Sequence, residues 1–275
     1  MTVLINAQWQ ASGGGHRYPI GAERIRDMLS TSIDLTIPDV SYEAGAFEVT
    51  QGVRNRDEVL DSLNLVNASL SGFSTPLYNL GCDCGGELVP IARLNQRYDG
   101  DLCVIWFDAH PDLNTVETSG SNTFHGMVLR ALLGDIPSQF SGYLPAPLKP
   151  EKVILAGVRS FDPAEQRYIE DNQLSLVTPA ALNAGVELER LSALKGGPVF
   201  VHVDYDVLDP QRHQSAVFKT EDGVALSRLL EWLQVIRNEF DVVGFGLTEF
   251  APSSILSTDE DVKEILSSGF GLPLK

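Results

Sequence analysis

The sequence predicts an α/β fold in which helices cover both faces of a mostly parallel sheet. Three observations carry that prediction. Short apolar runs recur along the 275-residue chain and are near-continuous in Val, Ile, Leu and aromatics, as strands buried on both faces read. Longer segments with helical spacing lie between them. Several of the runs end abruptly in carboxylates, where an open parallel sheet binds its ligands.

In chain order, the strand candidates are "TVLINA" from Thr2, "PLYNLGCD" from Pro76, "DLCVIWFD" from Asp101, "KVILAGVR" from Lys152, "PVFVHVDYD" from Pro198 and "DVVGFGLTE" from Asp241. The helix candidates are "AERIRDMLS" from Ala22, "HGMVLRALLG" from His125 and "LSRLLEWLQVIRNEF" from Leu226. Strand and helix in alternation favour parallel pairing with helical crossovers. The "SGGG" near Ser12 and "SGSN" near Ser121 read as local loops, no repeat or low-complexity tract appears, and residues 1–275 are expected to form one domain.

Composition narrows the function. With 20 basic against 37 acidic residues the formal charge is −17, which argues against nucleic-acid or anionic-membrane binding. A solvated acidic surface explains most of that excess, and bound cations would offset part of it. Cys82, Cys84 and Cys103 are too few for a disulfide framework and fit a reducing cytoplasm. "MTVLINAQW" lacks the basic and apolar regions of a signal peptide, and no apolar run reaches membrane-spanning length. The Asn67-Ala-Ser69 sequon is then a chance match.

Four run ends share a polar character: Asp83 and Cys84; Asp108, His110 and Asp112 in "DAHPD"; Asp204, Asp206 and Asp209; and Glu249. Alternate positions of an extended segment point the same way, so Asp108, His110 and Asp112 can converge, as can Asp204 and Asp206. Crowded carboxylates repel strongly in a low dielectric unless cations lie between them. Carboxylate oxygen with one imidazole suits Mn²⁺ and, less uniquely, Mg²⁺, Fe²⁺, Co²⁺ or Zn²⁺. Two such ions about 3.5–4 Å apart turn a shared water into hydroxide near neutral pH. Each motif alone could be a cap or a turn, Asp209-Pro210 especially; their coincidence at successive strand ends favours metal.

The remaining histidines divide. His16 and His213 sit in polar loops and read as solvent-exposed. His202 precedes Asp204 at even spacing and could face the site, although a strand histidine satisfied by backbone fits equally. His125 opens a helix-like run beside the crevice, a position suited to a proton shuttle. Gly244-Phe-Gly246 lacks the third glycine of a dinucleotide motif.

Taken in order, "DAHPD", "HVDYDVLDP", "HGM" at His125 and "TEFAP" at Glu249 resemble the metal and active-site motifs of the ureohydrolases, which comprise arginases, agmatinases, guanidinobutyrases and formiminoglutamases. The resemblance spans nearly the whole chain. It implies a three-layer α/β/α sandwich around a sheet of about eight strands, and two Mn²⁺ per chain. Asp108 and Asp204 would bridge the metals, Asp112 would complete the first, and His110 and Asp206 the second. Where the family reads G-G-D-H this chain reads "GCDCG", so Cys84 takes the remaining place, with Asp83 beside the metals rather than on them. A buried Cys84 pointing away is the competing expectation. Cys84 is similar to the feature of the hydroxyarginine-hydrolysing branch associated with cycloserine biosynthesis, whereas His125 is as in ordinary arginases.

The loop from Asn114 to His125 is similar to the arginase segment that holds a substrate α-carboxylate, with Asn114 and Ser121 at its ends. "GVRSFDP" resembles the segment that takes the α-amino group, here through Asp162, with Ser160 in place of a first Asp. Glu249 would face the guanidinium. The implied activity is hydrolysis of arginine or Nω-hydroxy-L-arginine to ornithine and urea or hydroxyurea, with His125 and Glu249 catalytic. A formiminoglutamase or agmatinase-type hydrolase is the alternative, and a non-catalytic metal-dependent binder is the alternative from another class. The stretch Gln211 to Gly223 departs from the family pattern, as does the lack of an extended C-terminal tail, so the accepted guanidine and the oligomer stay open.

Overall fold

The computed structural model describes residues 1–12, 15, 17–40, 47–252 and 259–275. His16 lies outside them. The chain runs β1 (Thr2–Ile5), α1 (Arg17–Met28), β2 (Leu35–Thr36), β3 (Val49–Thr50), β4 (Val53–Arg54), α2 (Arg56–Ser69), β5 (Leu77–Leu80), α3 (Leu88–Arg97), β6 (Cys103–Phe107) and α4 (Val128–Leu132). It continues through β7 (Val153–Ala156), α5 (Pro163–Asp171), β8 (Ser175–Val177), α6 (Pro179–Ala184), β9 (Pro198–Asp204), α7 (Leu226–Glu239), β10 (Asp241–Thr248) and α8 (Glu260–Glu264).

Eight strands form one sheet in the order β2-β1-β5-β10-β9-β6-β7-β8, and the pairings are parallel throughout. Alternation along each strand feeds two cores. Ile105 and Phe107 pack with α1, α6 and α7 on one face, while Val104 and Trp106 pack with α2, α3 and α4 on the other. This is a three-layer α/β/α sandwich. The six apolar runs all become strands. The two edge strands β2 and β8 carry no comparable signal, because they are short and all their residues but Val177 are half-buried or exposed.

Helix boundaries differ from the periodicity. α1 starts at Arg17, five residues before the expected Ala22, with Pro19 in its first turn. Proline is tolerated there because first-turn N–H groups lack helical partners anyway. The segment from His125 splits into a 3₁₀ turn, Phe124–Met127, and the short α4. Gly126 in the first turn weakens helical continuity.

Register then positions the site. Trp106 pairs with His202, and His202 with Gly246, so the three lie in one row across β6, β9 and β10. One side-chain step nearer the carboxyl ends, Asp204 pairs with Thr248. The chain returns from the β8 edge to insert β9 and β10 between β5 and β6, and the crevice opens beyond these strand ends.

Candidate active site

A cavity of about 220 Å³ sits over the carboxyl ends of the central strands. Cys84, His110, Asp112, Asp204, Asp206 and Glu249 line its floor. Asn114, Ser121, His125, Asp162 and Phe218 are among its walls. Asp108 lies just beneath, 1% exposed, so every expected site residue is in or against one cavity.

Each position has a local cause. Asp108 follows the last residue of β6, and its carboxylate accepts from the His110 amide at 2.7 Å and the Trp106 indole at 3.0 Å. Asp204 ends β9 and accepts from the Asp206 amide at 2.7 Å. Asp206 accepts from the Ala109 amide at 3.1 Å, which ties the two acidic segments together. Asp112 and Glu249 adopt left-handed backbone, with φ of 53° and 59°. Such conformations cost about 1–3 kcal/mol for non-glycine residues and collect at functional sites. The Asp112 and Glu249 turns are fastened by Arg130 N to Asp112 O at 3.1 Å and Glu249 N to Cys82 O at 2.9 Å.

Potential ligand atoms fall into three groups in which all atoms lie within 4.8 Å of one another: Asp108–His110–Asp206, Cys84–Asp204–Glu249 and Cys84–Asp108–His202. The His110 Nδ1 is 3.1 Å from Asp206 Oδ2, and the Cys84 Sγ is 3.0 Å from Asp204 Oδ2. The Cys84 sulfur therefore points into the carboxylate cluster. Asp112 lines the same cavity outside these groups, with its buried Oδ2 lacking a partner.

Burial and like charge push the carboxyls of Asp112 and Asp204 well up, and that of Asp206 up. Asp108 moves the other way: burial opposes its charge, but His110 and His202 outweigh it and hold the carboxyl low. Burial likewise opposes charge on His110, yet Asp206 and Asp108 drive it up to about 12. Burial and mutual repulsion push the Cys84 thiol up as well. These carboxylates outnumber the two histidines that face them. An orphaned buried carboxylate oxygen, unrelieved repulsion and an oxygen–nitrogen–sulfur donor set together fit divalent cations.

Glu249 is held by the Tyr18 hydroxyl at Oε2 and the Cys84 amide at Oε1, the latter at 3.2 Å. The His125 Nδ1 is 4.0 Å from Glu249 Oε1, and its ring meets the Phe218 ring edge-on at 5.2 Å. Burial, aided by the positive His110, lowers His125 to about 4. Asp162 accepts from the Asn114 side-chain amide at 2.8 Å and caps α5. Ser121 lies 2.5 Å from the Thr123 hydroxyl. Asp83 is fully buried under the Ser12 amide and Gln8 side chain, and burial raises its carboxyl to about 7.

Other expectations resolve differently. Asp209 only fastens a turn, accepting from the Gln211 amide at 3.0 Å. His213 is not solvent-exposed: Asp261 meets its Nδ1 at 3.0 Å and leaves 13% of the side chain exposed. His202 is fully buried and meets side chains rather than backbone, stacked on Trp106 at 3.4 Å. Tyr18, Glu87, Glu165 and Phe218 went unnoticed in the sequence. Of these, Glu165 had a signal: Asp162-x-x-Glu165 is a capping box, and Glu165 accepts from the Asp162 and Leu113 amides at 2.8 and 3.0 Å.

Residues 31–263 match the arginase family. An arginase of Bacillus subtilis is 34% identical over 208 residues, covering 70% of this chain and 68% of that one. An arginase of Staphylococcus aureus is 29% identical over 251 residues, covering 86% and 82%. The crystal structure of Entamoeba histolytica arginase in complex with L-ornithine superposes with a TM-score of 0.85, covering 98% of this chain and 97% of that one at 22% identity, and supports the fold. The chain belongs to the arginase family. It is a hydrolase of carbon–nitrogen bonds in linear amidines.

Proposed function

We propose that this enzyme hydrolyses the guanidino group of an arginine-like amino acid, arginine or Nω-hydroxy-L-arginine, with two Mn²⁺ per chain. The observation that carries the reading is one cavity that joins a carboxylate floor to an Asn114–Asp162 wall. Asp108, His110, Asp204 and Asp206 would hold one cation, and Cys84, Asp108, Asp112 and Asp204 the other. When bound, the pair makes water nucleophilic near neutral pH and acts as a Lewis acid.

The chain's own residues do the rest. Glu249, fixed by Tyr18 and the Cys84 amide, accepts charge-assisted hydrogen bonds from the guanidinium and orients its carbon over the floor. Asp162 takes the α-amino group, and Asn114 and Ser121 the α-carboxylate. Water adds its oxygen to the guanidino carbon, the bond to the amine nitrogen breaks, and that nitrogen gains a proton. His125 is neutral above about pH 4, so it can accept a proton and hand it to the leaving amine. The products are ornithine with urea or hydroxyurea.

The three cysteines are free and buried, which fits the cytoplasmic setting proposed for the single ureohydrolase domain. No helix of the described residues is long and apolar enough to cross a membrane. The test is to offer manganese-loaded protein arginine, Nω-hydroxyarginine, agmatine, guanidinobutyrate and formiminoglutamate. Turnover of an amino-acid guanidine above the others is expected. Faster turnover of agmatine, which has no carboxylate, or of formiminoglutamate refutes the reading.

A further inference from the structure

Glu87 and His202 are both fully buried beneath the cavity floor, and the chemistry above uses neither. The His202 Nδ1 lies 3.6 Å from Glu87 Oε1, and both Glu87 oxygens lack a hydrogen-bond partner. The His202 Nε2 lies 3.8 Å from the Cys84 sulfur and 3.9 Å from Asp108 Oδ2. A histidine kept for a structural hydrogen bond to oxygen would sit at about 2.7–3.2 Å from its partner. Instead, the His202 Nε2 stands beyond hydrogen-bonding reach of Asp108, meets the Cys84 sulfur only at the long limit of a sulfur hydrogen bond, and one donor atom from each of the three residues lies within 4.8 Å of the others. Ligands of one tetrahedral ion, with metal–nitrogen bonds near 2.0 Å and metal–sulfur bonds near 2.3 Å, stand about 3.4–3.6 Å apart.

We propose that Cys84, His202 and Asp108 form a nitrogen–sulfur–oxygen site for a borderline divalent cation such as Zn²⁺ or Co²⁺, with Glu87 as the carboxylate that orients the imidazole. The inference rests on the two-cation reading above and changes the composition of one of its two sites. Thiolate and imidazole favour such ions over harder ones. A metal-bound histidine characteristically donates its other N–H to a carboxylate, which fixes tautomer and ring direction. Glu87 stands at that position. Trp106 lies under the imidazole, 11° from parallel, and prevents it from tilting. Gly246, next to His202 in the strand row, leaves the volume that Glu87 fills, because a Cβ there would lie 1.6 Å from Glu87 Oε1. Four elements are thus shaped around one carboxylate–imidazole pair aimed at Cys84 and Asp108.

The test titrates chelator-stripped full-length protein with Co²⁺, reading equivalents by elemental analysis and the thiolate-to-cobalt charge-transfer band in the near ultraviolet. Wild type should bind two equivalents, one of them giving the band. His202→Ala should lose the band-bearing equivalent and keep the other. Glu87→Gln preserves shape and serves should His202→Ala not fold; it should keep both equivalents and weaken the band-bearing one about 10–100-fold. Two equivalents with the wild-type band and affinity in either folded variant overturn the inference and leave the two-cation reading intact. Fewer than two equivalents in wild type overturn the two-cation reading and this inference with it.

Discussion

Gly246→Ala places a methyl group directly in the space that Glu87 fills. The new Cβ would stand 1.6 Å from Glu87 Oε1 and 2.6 Å from its Cδ. Ordinary contact begins at 3.4 Å, so the oxygen must retreat by roughly 1.8 Å. Glu87 is fully buried and cannot swing into water, so it moves within the core and away from His202. Overpacking of this kind costs about 1–3 kcal/mol. Moving the buried carboxylate away from the imidazole that faces it at 3.6 Å weakens the attraction that favours its charge and adds about 1–3 kcal/mol. Replacing glycine restricts the unfolded chain and returns about 0.4–1 kcal/mol. The expected net destabilisation is about 3 kcal/mol, a fall in Tm of roughly 6–12 °C for a chain of this size. Thermal unfolding of the metal-free protein measures it, and a double-mutant cycle with Glu87→Ala assigns it. In the Glu87→Ala background the vacated space accepts the new methyl, and Gly246→Ala should cost under about 0.5 kcal/mol. Wild-type stability in Gly246→Ala, or an equal cost in both backgrounds, would show that the glycine is not there to make room for Glu87.

Arg159 gives a second test, because its guanidinium donates to the carbonyls of Gly157, Asp206, Val207, Thr220 and Glu221 and so staples the Phe218-bearing loop to the end of β9. Arg159→Lys keeps the charge but not the planar fork, and should cost about 1–3 kcal/mol and raise KM more than it lowers kcat; unchanged amide-exchange protection around Thr220 would refute it. The third concerns acid. Burial opposes the Asp261 charge, but His213 at 3.0 Å and the Tyr205 hydroxyl outweigh it and hold the carboxyl below its ordinary 3.8. A depressed folded value means stability present above about pH 4 and lost as pH falls through the folded value. Wild type should therefore be more stable than Asp261→Asn at neutral pH, and the gap should close below about pH 4; a gap independent of pH contradicts the assignment.

What could be read from the sequence follows from which features are local. The apolar runs announce buried strands, and strand ends announce the crevice, so Asp108, His110, Asp204, Asp206 and Glu249 could be placed together without knowing strand order. Strand parity allows His202 to face the site, but parity cannot say what it meets there. Its neighbours Trp106 and Gly246 come from β6 and β10, and their alignment depends on the register of three strands. Glu87 was invisible for the same reason: the space it occupies is defined by a missing side chain more than 150 residues away. Phe218 lies in a segment whose departure from the family pattern was clear, yet only its fold over His125 gives that departure a consequence. His213 looked exposed because its loop is polar; Asp261, supplied from α8, covers it.

The same register explains how the site tolerates so much buried acid. A carboxylate alone in a core would be neutralised, since burying its charge costs more than protonating it. Here the acidic residues sit at the ends of β6, β9 and β10, where backbone amides already point outward and satisfy part of each oxygen set. Asp108, Asp204 and Asp206 each accept from an amide of their own or the facing segment. These bonds fix direction, but they are dipoles against full charges, and two histidines do not balance the remainder. The excess is concentrated at atoms that face one another across a cavity wall rather than dispersed over the surface. A fold that holds like charges in fixed positions has spent stability on a site whose repulsion must be relieved by protons or by a cation, and that is why the carboxylate pattern, more than any single residue, marks the place of the chemistry.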